Sequence, residues 1–432
     1  TRTPAGRRPP LYLGERVEPV EYTGEGSLLT VGPPGTGKSR GLAVWNALRF
    51  PGSLLVTDPK GELARWSARE REDRGHKVAV LDPFGLTGRP SASVNPLEPL
   101  LEARRAGEGL RHEIGRTAHL LLPDLPSSKE SPYWRQGARR VLSGALFYLA
   151  AVAPEEDCTL PGLHRILWLG DRAFKETVLD AMSRDEGPFA GALYEYAEAI
   201  NSAFENRPEN FSAFREEARE AVSIFAPDEP IGRVCEGTSI DLADLSTGRR
   251  SVFLVLPPQM IASHGRWMGL IVNHAVQAIM RSDTYADCLF LLDEFTNLGK
   301  LDPVKDAVAM LRGKGLRVWM FVQELAQLED VYGQSDARSF RGQVEVLQVL
   351  GCRSEELAKF IETRSGQTFE GRKSISIPDP RNPQGWYSVS QNWERRPVLT
   401  REAALAMPHG FQILIRPGYP ITVARLRYWG AA

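Results

Sequence analysis

Gly32-Pro33-Pro34-Gly35-Thr36-Gly37-Lys38-Ser39 fits G-x-x-x-x-G-K-[ST], the pattern of a phosphate-binding loop. Its glycines let backbone N–H groups wrap an oligophosphate, and a helix starting at the loop's end adds a favourable dipole. In such a loop Lys38 reaches the β- and γ-phosphates and Ser39 ligates Mg²⁺. The flanks suit this mechanism. Ser27-Leu28-Leu29-Thr30-Val31 reads as an apolar strand entering the turn, and a helix is expected over about 38–48. A chance match in a chain of this length is expected roughly 0.02 times at average residue usage. Nucleotide binding is therefore the reading.

Outward from the loop, strands are expected at 53–57 and 77–81, with a charged-faced helix over 62–74 between them. Alternation of this kind predicts an α/β fold with a mostly parallel sheet and helices on both faces. The rhythm stops near residue 102. Through 245 the chain shows amphipathic helical segments, for example 133–151 and 190–204, and few strand signals. The β/α pattern resumes with Ser251-Val252-Phe253-Leu254-Val255-Leu256 and continues through strands at 288–292, 316–322 and 344–349. Four segments follow: an arm rich in Pro, Gly and Arg (1–26), a nucleotide-binding part (27–100), an inserted all-α domain (101–247) and the rest of the nucleotide-binding domain (248–432). Within the last, 372–396 is expected to form an extended hairpin around Pro378-Asp-Pro-Arg-Asn-Pro-Gln-Gly385.

Composition narrows the field. The chain has 432 residues, 42% hydrophobic and 25% charged, which excludes disordered, collagen-like and disulfide-scaffold classes. Cys158, Cys235, Cys288 and Cys352 stand more than 50 residues apart, and the seven histidines show no ligand spacing. Neither a zinc nor a haem site is expected, and the cysteines fit a reducing compartment. No apolar run reaches the ~18 residues that span a bilayer, and 142–153 reads as a buried helix. The chain begins at Thr1 rather than Met, which leaves room for an upstream segment carrying an anchor. Residues 101–247 hold 25 acidic and 16 basic side chains, net −9, against −1 for the whole chain, so the remainder carries +8. A split of this kind marks a module with partners of its own.

A second motif completes the chemistry. Leu289-Phe290-Leu291-Leu292-Asp293-Glu294 is an apolar strand ending in two carboxylates. In phosphate-loop ATPases an acid at that position, here Asp293, serves Mg²⁺, and the next, here Glu294, polarises the attacking water. Asp58-Pro59-Lys60-Gly61-Glu62 closes the second strand; by itself it reads as an Asp turn before a helix with Glu62 in its first turn. Gln323 ends the 316–322 strand, either as a sensor of the γ-phosphate or as a polar strand-end residue.

Asp58-Pro-Lys-Gly-Glu-Leu63 and Leu292-Asp-Glu-Phe-Thr-Asn-Leu-Gly-Lys-Leu301 resemble signature segments of the type IV secretion coupling proteins, the TraG/TraD-type conjugation ATPases. Gln323 to Gly333, Ser93-Val-Asn-Pro-Leu97, Tyr133-Trp134 with Ala138, and Arg396-Pro-Val-Leu-Thr400 are similar to further blocks of that family. The resemblance runs from about residue 27 to the C-terminus. It departs at Glu324, where a small hydroxyl residue commonly follows the Gln, and at Gly351-Cys-Arg-Ser354.

The resemblance implies a RecA-like motor with an inserted all-α domain, acting as an ATPase with ATP and Mg²⁺ and assembling as a homo-hexamer. It further implies delivery of DNA, single-stranded by expectation, with its relaxase, or of effector proteins, to a type IV secretion channel. The implied location is the cytoplasmic face of the bacterial inner membrane. Arg312 matches an Arg of a family block and reads either as a finger reaching a neighbouring subunit's nucleotide or as a cation capping a helix C-terminus. Trp386, Tyr387 and Trp393 beside Arg395 and Arg396 read either as base-stacking residues or as cross-strand packing. Two other functions stay open: a hexameric DNA translocase of the chromosome-segregation type, and an ATP-gated substrate receptor with little motor activity.

Overall fold

Leu28–Val31, Ser53–Asp58, Cys288–Leu292, Leu316–Val322 and Val346–Val349 are buried at every position, as strands covered on both faces must be. The structure, a computed structural model, describes residues 8–124, 132–376 and 388–430. In chain order its strands are β1 (Leu11–Glu15), β2 (Pro19–Tyr22), β3 (Leu28–Val31), β4 (Ser53–Asp58), β5 (Lys77–Leu81), β6 (Arg250–Val255), β7 (Cys288–Leu292), β8 (Leu316–Val322), β9 (Val346–Val349), β10 (Gln367–Ser376), β11 (Ser388–Pro397), β12 (Phe411–Ile415) and β13 (Thr422–Arg425). Eleven of them form one sheet in the order β2-β1-β13-β12-β9-β3-β8-β7-β4-β6-β5. From β9 to β5 every pairing is parallel, and from β9 outward to β2 every pairing is antiparallel. The fold is α/β with a mostly parallel RecA-like sheet.

This order decides what meets at the sheet's C-terminal edge. β3 lies between β9 and β8, and β7 lies beyond β8. The loop after β3 and the acids after β7 are thus separated by one strand, whose tip is Gln323.

Residues 11–22 differ from the expected N-terminal arm. They form the β1–β2 hairpin, which completes the antiparallel edge through Glu15 opposite Arg425. A buried polar relay holds it. Trp319 donates to Thr30 (2.8 Å), Thr30 to Gln348 (2.8 Å), and Gln348 to Gln412 (2.9 Å) and to the Leu13 carbonyl (3.2 Å). Each buried polar group gains a partner only in this register, so the relay ties β8, β3, β9, β12 and β1 together.

Between β5 and β6 every regular element among the described residues is helical. The helix Pro132–Phe147 packs with Leu110–Leu121, Ala190–Asn206 and Pro208–Val222, and buries Leu142, Leu146 and Phe147. Arg215, 1% exposed, donates to the Leu167 carbonyl (2.8 Å) and stacks over Phe174. The Ser93–Leu97 stretch stitches the two ends of this helical region together. Val94 N–H donates to the Val234 carbonyl (3.0 Å), Ser93 N–H to Ser239 (2.8 Å), and the Asn95 amide to the Cys158 carbonyl (2.8 Å). Its apolar core is continuous with the core on one face of the sheet, through the helix Ile261–Arg281. Among the described residues no helix is long and apolar enough to cross a membrane.

β10 and β11 form a separate ten-residue ribbon that starts five residues before the expected 372. Trp386 and Tyr387 lie outside the described residues. Trp393, 64% exposed, faces Gly371 across the ribbon, and Arg395 lies over Phe369.

Candidate nucleotide-binding site

Thirty-nine residues into the chain, β3 has already delivered the whole phosphate loop. Gly35 and Gly37 take φ of 82° and 94°, a region that favours glycine. A helix follows as a π turn over Lys38–Ala43 and α over Val44–Arg49. Lys38 is buried, and its ammonium donates to the carbonyls of Gly32 and, at 3.4 Å, Pro33. Burial pushes its pKa down, while Asp293 and Glu294 pull it up.

The acids converge on the same place. Ser39 Oγ donates to Asp293 Oδ2 at 3.0 Å, and Thr57 Oγ1 on β4 donates to the Asp293 carbonyl at 2.8 Å. Burial raises the Asp293 carboxyl, Glu294 raises it further, and Lys38 opposes both. A Ser hydroxyl beside a carboxylate is a pair of hard oxygen donors, the chemistry Mg²⁺ takes. Glu294 is the one non-glycine residue with positive φ among the described residues, at φ 50° and ψ 45°. Gln323 explains what holds its side chain. The Gln323 amide donates to both Glu294 carboxylate oxygens, at 3.1 and 2.9 Å. Gln327 in turn accepts from the Gln323 and Glu324 backbone N–H groups, at 3.1 and 3.4 Å. Glu324 caps the helix Leu325–Tyr332 by accepting from the Gln327 backbone N–H, a role a small hydroxyl residue also fills.

A cavity of about 550 Å³ opens over these groups, within the range of small-molecule sites. Pro33 to Ser39, Asp58, Lys60, Glu62, Asp293, Glu294 and Gln323 all line it. Gly32 sits behind the loop, pinned by its N–H to the Val322 carbonyl at 3.0 Å. Asp58 accepts at 2.8 Å from the N–H of Ala64, in the first turn of the helix Glu62–Asp73.

Arg312 is not part of this gathering. It lies in the turn Leu311–Lys314 before β8, at the opposite end of the sheet, and its side chain is outside the described ones. At about 3.3 Å per residue, the seven residues of β8 put it roughly 20 Å from its own chain's cavity. Any contact with a nucleotide would have to be a neighbour's.

Two groups of residues escaped sequence reasoning. His409 and Tyr428, from the segments flanking β12 and β13, also line the cavity. Gly265 and Gly269, one turn apart on Ile261–Arg281, let the turn Phe295–Leu298 lie directly on that helix. A Cβ there would sit 2.2 Å from the Asn297 carbonyl oxygen and 2.4 Å from that of Leu298. The glycine spacing was visible in the sequence; the partner it admits was not.

Against known proteins, residues 3–431 match the family described as Type IV secretory system Conjugative DNA transfer. The chain is 25% identical over 395 residues to the conjugal transfer protein TraG of Rhizobium radiobacter, covering 89% of this chain and 59% of that protein. It is 24% identical over 394 residues to the type IV secretion system-coupling protein VirD4 of Bartonella quintana, with the same coverage, 89% and 59%. It thus spans about three-fifths of the length of these relatives. Among solved structures it superposes on the plasmid coupling protein TrwB in complex with the ATP analogue ADPNP with a TM-score of 0.66 and 18% identity, covering 94% and 86% of the chains. It superposes on TrwB in complex with ADP and Mg²⁺ at 0.65 and 19%, with the same coverage, 94% and 86%. A match running almost end to end, on a sheet that brings both motifs together, assigns the chain to the type IV secretory system conjugative DNA transfer family.

Proposed function

We propose that this chain is the motor part of a coupling protein that binds ATP with Mg²⁺, hydrolyses it, and drives DNA or protein cargo into a type IV secretion channel. The observation that carries the reading is the linked set Ser39–Asp293 and Glu294–Gln323 around one cavity, in a chain of this family. Relatives of the same fold hold ADPNP, or ADP with Mg²⁺. Loop N–H groups and Lys38 bind the phosphates, while Ser39 and Asp293 hold the metal. Mg²⁺, when bound, neutralises charge on the phosphate oxygens. Glu294 orients the attacking water and accepts its proton, and Gln323 keeps the carboxylate aimed into the cavity.

The helical region of 101–247, net −9, repels phosphate backbones and suits basic proteins, which supports a role in cargo choice. A homo-hexamer at the cytoplasmic face of the bacterial inner membrane, working with relaxase, single-stranded DNA and channel components, completes the proposal. Arg312 serves a neighbour's site in that ring.

ATP turnover with and without single-stranded DNA tests this. Lys38→Ala should weaken nucleotide binding, and Glu294→Gln should bind ATP while hydrolysis falls by a factor on the order of 10². Near wild-type hydrolysis by Glu294→Gln would overturn the assignment of the water-activating residue. Absence of turnover in the assembled wild type, with binding intact, would favour the ATP-gated receptor.

A further inference from the structure

We propose that His409 and Tyr428 form the subsite that receives the base of the nucleotide, holding it by stacking rather than by reading its edge. The inference rests on the nucleotide reading above and extends it to a part of the ligand that no phosphate motif touches. The groups assigned to phosphate, metal and water, Lys38, Ser39, Asp293, Glu294 and Gln323, are all polar. A purine is a flat π surface and gains most from an aromatic wall. Among the described residues, His409 and Tyr428 are the only aromatic rings that line the cavity.

The two rings are already arranged as a platform. They are nearly parallel, 11° apart with centroids at 5.8 Å, so each is offset from the other and neither is fully covered. Both are fastened to the phosphate loop. Gly35 O accepts from His409 Nε2 at 3.0 Å, and Thr36 O accepts from the Tyr428 hydroxyl at 3.5 Å. The Tyr428 ring occupies the space beside Gly37, where a Cβ would come within 2.3 Å of it.

The backbone behind them is held as well. Leu426 N–H donates to the Gly410 carbonyl (2.8 Å), joining the two segments, and Trp429 N–H donates to the Arg40 carbonyl (2.9 Å). The Trp45 indole donates to the Arg427 carbonyl at 2.7 Å. A platform fixed before the ligand arrives costs little ordering on binding. Every base presents a π face, so such a wall accepts adenine and guanine alike.

The test compares ATP, GTP and inorganic tripolyphosphate, each with Mg²⁺, by calorimetry on the full chain. His409→Ala and Tyr428→Ala should each weaken ATP and GTP about tenfold, or about 1.4 kcal/mol, and leave tripolyphosphate unchanged. Tyr428→Phe, which keeps the ring, should bind all three as wild type does. Wild type should hold ATP and GTP within a few-fold of each other. Equal losses of ATP and tripolyphosphate in the exposed-site variant His409→Ala would make the rings mere supports of the loop. Unchanged ATP affinity in both alanine variants would also overturn the subsite. If wild type binds tripolyphosphate but gains nothing from the base, the subsite fails while the phosphate site stands; if it binds neither, the nucleotide reading itself falls.

Discussion

Asp58 ends β4, 2% exposed, with Ala64 N–H as its donor and the Asp293 carboxylate nearby. Burial, with Asp293 adding to it, raises its pKa from 3.8 to about 7 against the hydrogen bonds from the Ala64 and Lys60 N–H groups and the pull of Arg65. The folded state therefore keeps a proton that the unfolded chain gives up near pH 4. The stability this proton brings is fully present below that pH and is lost as pH rises through about 7. Asp58→Asn cannot ionise and can still accept from Ala64. Its stability relative to wild type should rise between pH 4 and pH 8, by an amount on the order of 3 kcal/mol. Denaturant unfolding of both proteins at the two pH values measures this, and parallel pH profiles would reject it. At this scale the sequence was legible where chemistry is written locally. Lys38, Ser39, Asp293 and Glu294 follow from spacing, whereas His409 and Tyr428 reach the cavity from the far end of the chain, which no local pattern records.

The helix Ile261–Arg281 is the element that sets the acid turn in place, because Gly265 and Gly269 let the Asn297 and Leu298 carbonyls approach its backbone. Glu294, whose backbone is left-handed, depends on that support, since a non-glycine residue there is held at a cost of about 1–3 kcal/mol. Gly269→Ala places a methyl against the Leu298 carbonyl and must move the turn. We expect a loss of about 1–3 kcal/mol in stability and a several-fold lower ATP turnover, with ATP affinity nearly unchanged. Normal turnover in a folded Gly269→Ala protein would show that the turn's seat does not matter to Glu294. The alternation of strands and helices from 27 to 100 and from 248 onward was readable because period and turn residues are local signals. The antiparallel edge was not. Residues 11–22 have the composition of a loose arm, and distant partners turn them into sheet: the Gln348 side chain, Asn46 and the β13 backbone.

At the scale of the whole molecule, the sheet gives Arg312 a direction. It lies at the end of β8 away from its own chain's cavity, so the catalytic part proposed for it requires a second copy. Specific activity should rise with protein concentration as rings assemble. Arg312→Ala should lower turnover while leaving nucleotide affinity nearly intact, and mixing it with Lys38→Ala should restore some activity, because mixed neighbours rebuild complete sites. Activity per subunit that stays flat from dilute to assembled protein would return Arg312 to a helix cap.

The position of β3 also fixes when the site comes into being. That strand is flanked on both sides by partners made far later, β8 from Leu316 and β9 from Val346. At about 5–20 residues per second, translation leaves roughly 15–60 s between Val31 and Leu316. Through that interval an apolar strand has two unsatisfied edges, a hazard for misassociation. The helices of 101–247, built on nearer contacts, are free to form in the meantime. The loop that defines the site is synthesised long before the two strands that build it into place.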